Sequence, residues 1–168
     1  MRVAVVLSAA AVALLAGAMG CKGPKVDPGV LSARKMLYKR LAIVCVPGRG
    51  ADPAFAELIL NSARPNIPTR LGFLTACDCL MGVPTDIAAV PPRVNLADRA
   101  ANYDAVLCLV YEYGGDDVVL HMYLLDARTG AQVWYYKLST EDDDTAGRLK
   151  RHGFWTPTIL KRQFYGEE

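Results

Sequence analysis

The sequence predicts a mixed α/β (α+β) domain, with early β–α crossovers, a C-terminal antiparallel meander and helices packed on the sheet. Three observations carry this expectation. The apolar, β-branched run Leu41 to Val46 is followed by Asp52-Pro53 and a segment of helical period, as in a strand that crosses over through a helix. Three further apolar runs, 105–113, 118–126 and 131–138, are separated by short turns rich in Gly and Asp. Residues 144–166 read as helical.

Taken in order, Leu41 to Val46 is a buried strand closed by Pro47-Gly48. Asp52 offers an N-cap and Pro53 a first helical residue, and the helix to Ala63 places Phe55, Leu58 and Ile59 on one face. Arg64-Pro65-Asn66-Ile67-Pro68 ends it. A strand is expected within 71–80, a loop carrying Pro84, Pro91 and Pro92 over 81–92, and a short helix over 94–101. In the meander, Gly114-Gly115-Asp116-Asp117 makes the first turn. Asp126-Ala127-Arg128-Thr129-Gly130 makes the second, with Gly130 taking a positive φ, and Trp134 and Tyr136 then share a face of the last strand. Thr140 with Asp143 resembles a capping arrangement for a helix over 144–151, and Thr156-Pro157 starts another that Gly166 ends.

The first 20 residues have a different character. Arg2 precedes an apolar run from Val3 to Ala18, and small residues follow at Gly17, Ala18 and Gly20, the pattern of a secretory signal. The run is shorter than the roughly 20 residues of a membrane span. Ala18-Met19-Gly20-Cys21 resembles the lipobox of bacterial lipoprotein precursors, although Ala18 stands where leucine is usual and Met19 where a small residue is usual. The resemblance implies cleavage before Cys21 and diacylation of its sulfur; beyond that covalent lipid no cofactor is expected. Each buried methylene contributes roughly 0.8 kcal/mol, so two or three acyl chains give stable anchoring. The expected division is a signal peptide over 1–20, a lipidated basic tether over 21–40 and a single domain over 41–168. Within the tether, Gly23, Pro24, Pro28 and Gly29 oppose regular structure, and Lys22, Lys25, Arg34 and Lys35 make it basic. By the same resemblance, Lys22 is not the inner-membrane retention aspartate familiar at that position, so the periplasmic face of the outer membrane is the expected location, with secretion or inner-membrane anchoring as the alternatives.

Removing the signal lowers the apolar content below its nominal 52% and takes away one of the charges behind the net +2. That balance implies no general affinity for nucleic acid. Cys45, Cys77, Cys79 and Cys108 are candidate disulfide cysteines, because export permits bridges. Buried free thiols are the alternative. Cys77-Asp78-Cys79 could hold a soft metal, but zinc sites need wider spacing and two more ligands, so no metal is expected.

Gly48-Arg49-Gly50 sits where a phosphate loop would, yet Pro53 replaces the third glycine and no Gly-Lys-Ser/Thr follows, which leaves a tight turn. The carboxylates of 141–144 are contiguous and cannot converge on calcium as alternating ligands do. His121 and His152 are the only histidines. No Gly-x-Ser-x-Gly or His-Glu-x-x-His occurs, and no catalytic residue is assigned. A cleft gathering Glu112, Asp116, Asp117 or His121 with shifted pKa values would favour an enzyme.

The stretch Asp126 to Trp134 resembles one turn of a quinoprotein-type β-propeller. It stands as a single copy, so the shared piece is a hairpin turn built from Asp126, Gly130 and Trp134. A wider resemblance runs through Asn102-Tyr103-Asp104-Ala105-Val106-Leu107, the paired strands and Asp126-x-x-Thr129-Gly130-x-x-x-Trp134. It is to a group of envelope proteins that includes the curli-export lipoprotein CsgG, the penicillin-binding-protein activator LpoB and the TolB amino-terminal domain. The chain is also similar to uncharacterised lipoprotein families of myxobacteria. The resemblance implies an α/β envelope domain. The long membrane-inserting hairpins of a curli-type pore are missing, so pore formation is not implied. The functional expectation is a non-catalytic binding or scaffold module that docks an envelope protein or peptidoglycan-associated partner. A subunit of an oligomeric secretion assembly and a carboxylate hydrolase are the alternatives.

Overall fold

The computed structural model describes residues 28–114, 117–140 and 145–166. The signal segment, Cys21, Asp116 and the acidic run 141–144 lie outside the described residues. The fold is mixed α/β, as the sequence predicts. A five-stranded sheet has the order β2-β1-β5-β6-β7, formed by Ala76–Leu80, Arg40–Pro47, Ala105–Gly114, Asp117–Asp126 and Gln132–Thr140. β1 runs parallel to both β2 and β5, whereas β5, β6 and β7 form the antiparallel meander.

Helices cover one face. Leu41, Ile43, Leu107, Leu109, Leu120 and Met122 point toward α2 (Phe55–Ala63) and α4 (Thr145–Tyr165) and are buried. Removing such a side chain from water contributes roughly 1.5–3 kcal/mol. Ala56, Ile59, Leu60 and Ala63 form the buried stripe of α2, with Phe55 and Leu58 half-buried beside it. Trp134 and Tyr136 stack on this side, ring centroids 5.9 Å apart.

Several elements differ from the expectation, three of them on the helical side. Residues 28–34, expected to be irregular, form helix α1 (Pro28–Arg34). A proline at the first helical position loses no hydrogen bond, and Leu31 is fully buried in the core, so the domain begins inside the presumed tether. Second, Pro68 does not break the chain into a loop but sits early in the one-turn helix α3 (Ile67–Arg70).

Third, the two expected terminal helices are one, and α4 passes through Gly153 and Pro157. Gly153 lets α4 meet α2, since a Cβ there would stand 2.6 Å from the Cβ of Ser62. The hydroxyl of Thr156 donates to the carbonyl of His152 at 2.8 Å, in the turn where the proline has no N–H to give. Leu149, His152, Thr156, Leu160 and Phe164 are buried at helical spacing, and this tertiary burial outweighs the local breakers.

The other sheet face is covered by the segment between β2 and β5. It contains the two-stranded pair β3 (Thr85–Asp86) and β4 (Arg93–Val94), and a 3-10 helix at Ala97–Asn102 that replaces the expected α-helix. Leu96 and Tyr103 pack there on Ala42, Val44, Val106 and Cys108.

Candidate functional site

That covering segment reaches only part of the face. Beyond it, toward the C-terminal ends of β1 and β5, the sheet opens into a groove of about 380 Å³. Its wall is the loop 87–92, with Ile87 and Val90 exposed, and its floor includes Val110, Glu112, His121 and Tyr123. Gly48 closes one end. Its N–H donates to the carbonyl of Tyr111 at 2.6 Å, and a Cβ at this position would lie 2.8 Å from the Cβ of Glu112. The Gly48-Arg49-Gly50 turn is therefore packed against the strand bearing Glu112.

Alternation brings the polar groups together. Glu112 pairs with Val119 and Val110 with His121, so Glu112 and His121 are diagonal neighbours on one face. Nε2 of His121 lies 2.8 Å from Oε1 of Glu112, and Nδ1 lies 2.8 Å from the hydroxyl of Tyr135 on β7. Tyr123 completes the cluster, its ring 4.9 Å from that of Tyr135 and stacked 6.4 Å from the imidazole. Burial raises the pKa of Tyr135, and the nearby Glu112 raises it further, so the phenol keeps its proton as a donor. A carboxylate can only accept. The consistent direction is Tyr135 O–H to Nδ1, and Nε2–H to Glu112.

The cluster can polarise and orient groups in the groove. Tyr123 is likewise raised, chiefly by burial. The thiols lie elsewhere: Cys45, Cys77 and Cys79 belong to the helix-covered face and Cys108 to the other face of the sheet. Burial pushes Cys77 and Cys108 up to about 12, and raises Cys45 and Cys79 as well, the opposite of a reactive thiol.

The candidate disulfides are not formed, and all four cysteines are free. Cys77 and Cys79 occupy successive same-face positions of one strand, about 6.7 Å apart at Cα and at the limit for a bridge. Cys45 and Cys108 sit on opposite faces of adjacent strands. No group of three His, Cys, Asp or Glu among the described residues is arranged for a metal ion.

The turn residues are tightly organised. Oδ1 of Asp126 accepts from the N–H of Arg128 and from both the N–H and hydroxyl of Thr129, and Gly130 has φ +69°. Trp134 packs into the core immediately after the β-bulge at Val133 that interrupts β6–β7 pairing. Asp104, within the motif of the envelope group, accepts from the backbone of Lys39 and Arg40 and pairs with the Arg40 guanidinium at 2.8 Å. Its role is to join the starts of β1 and β5.

Of the residues named for a cleft, Glu112 and His121 are brought together, Asp117 begins β6, and Asp116 lies outside the described residues. Tyr135 was not foreseen. The signal for it was present, because placing Trp134 and Tyr136 on one face puts Tyr135 on the face of His121.

No family model and no curated protein matches the chain. Solved structures do. A PelC variant dodecamer from Paraburkholderia phytofirmans is 15% identical, with 73% of this chain and 87% of that chain covered and a TM-score of 0.46. TolB from Acinetobacter baumannii is 12% identical over 76% of this chain and 28% of that one, with a TM-score of 0.48. The LpoB C-terminal domain from Salmonella enterica is 12% identical over 68% and 95%, with a TM-score of 0.40.

Proposed function

We propose that this chain is a lipid-anchored, periplasm-facing envelope protein that acts as a non-catalytic binding or scaffold module. The carrying observation is the closeness of the folded domain to the lipobox-like Cys21. Leu31 of α1 is already in the core, so only residues 22–27 separate Cys21 from helix α1. Fully extended, that link spans at most about 25 Å. Among the described residues no helix is long and apolar enough to cross a membrane.

The groove beside Glu112, His121 and Tyr123 offers an apolar wall and a few fixed polar groups, as a recognition site does. A hydrolase is the second reading, favoured by the Glu112–His121 contact. The two readings part at turnover: a hydrolase cleaves a substrate and loses that activity in Glu112→Gln, whereas a scaffold binds its partner without turnover and Glu112→Gln weakens the binding.

The anchor is tested by palmitate labelling, membrane fractionation and affinity capture from native membranes, comparing wild type with Cys21→Ala. Loss of label, membrane attachment and envelope partners in the variant is expected. A variant that stays membrane-bound with the same partners would refute the reading.

A further inference from the structure

We infer that the α1–β1 connection and the adjoining end of α4 form a membrane-docking face that seats on an anionic phospholipid surface. This rests on the lipoprotein reading and gives the anchored domain an orientation. Met36 and Leu37 are adjacent and 71% and 68% exposed, among the most exposed large apolar side chains described. Cations surround them.

Nζ of Lys35 lies 4.0 Å from the ring centroid of Tyr165 at the end of α4, and Nζ of Lys39 lies 5.7 Å from that of Phe73. Arg34 donates to the hydroxyl of Tyr38 at 2.9 Å. These contacts neutralise no charge. Among the described residues, the facing carboxylates are Asp104 and Asp126, which line a hollow with Arg34, Leu37 and Arg128. Asp104 is bound by Arg40, and Asp126 is used in its own turn. The face therefore remains basic around an apolar tip, the composition that enters a lipid interface with its charges at head-group level.

Chain length favours a membrane over a protein as the occupant. Helix α1 is about 10 Å long, and Met36 lies two residues beyond its end. With at most about 25 Å of chain back to Cys21, this end of the domain is held near the bilayer. Each cation close to an anionic surface raises local occupancy roughly fivefold.

The test uses the lipidated full-length product in phosphatidylcholine vesicles, with or without phosphatidylglycerol, carrying photoreactive benzoylphenylalanine at Leu37 or at Tyr113. Tyr113 is exposed and lies near the opposite end of the sheet. Lipid adducts at Leu37 should exceed those at Tyr113 roughly tenfold and fall about fivefold or more without phosphatidylglycerol. Equal yields at the two sites, insensitivity to lipid charge, or adducts mainly to protein would overturn the proposal. Palmitate labelling of the same sample separates the failures. Unlabelled protein overturns the anchor and the docking face together, whereas labelled protein with no site difference overturns the docking face alone.

Discussion

The carboxylate of Asp104 accepts the backbone N–H of Arg40 at 2.9 Å, so the residue before β5 sets the first pairing position of β1. A second bond, from the N–H of Lys39, is 3.0 Å long. Asp104→Ala strands both donors and is expected to cost about 2 kcal/mol, with Asp104→Asn costing less. Urea unfolding reads the difference, and an alanine variant as stable as wild type would contradict it. The hydrogen bond from the Arg40 side chain holds the Asp104 carboxyl below its ordinary pKa. Its contribution is thus complete above the ordinary carboxylate range and is lost as pH falls through the depressed value.

Gly153 meets α2 where no Cβ fits. Gly153→Ala should force the helices apart and destabilise by about 1–3 kcal/mol, although alanine is the better helix former. Thermal unfolding of this variant beside an alanine at an exposed α4 position checks it. A rise in Tm at 153 would mean the contact is loose.

His152 is fully buried, and burial lowers its pKa from 6.5 to about 4. The unfolded chain therefore binds a proton in a range where the native one does not. Stability is complete above pH 6.5 and declines toward pH 4 by up to about 3 kcal/mol. Urea midpoints across that range should show the loss, and His152→Gln should flatten this part of the profile. An identical slope in the variant would assign the acid sensitivity elsewhere.

The contacts of His121 fix a tautomer. Nitrogen NMR at neutral pH should find the neutral ring protonated at Nε2, with Nδ1 accepting from Tyr135. Tyr135→Phe should broaden or shift the Nδ1 resonance while changing stability by less than about 1 kcal/mol, since the site is partly solvated. A neutral ring protonated at Nδ1 would reverse the direction of the chain.

In the second turn of the meander, Gly130→Ala places a Cβ at φ +69° and should cost about 1–2 kcal/mol. Denaturant unfolding measures it. Little change would mean that Asp126 and Thr129 hold the turn without glycine's freedom.

The sequence by itself determined what depends on neighbours along the chain. The apolar runs 105–113 and 118–126, with the Asp126–Gly130 turn chemistry, specified the meander. The lipobox resemblance at Cys21 is also local.

Tertiary structure decided what depends on distant partners. Pro28, Gly153 and Pro157 are breakers in isolation, but burial of Leu31, Leu149 and Leu160 makes their segments helical. The position of β2 beside β1, and the diagonal approach of Tyr135 to His121 across the β6–β7 pairing, require the assembled sheet. Local propensities amount to tenths of a kcal/mol per residue and fix only nearby geometry. Burial contributes a few kcal/mol per side chain, and it acts between segments whose meeting no short stretch of sequence records.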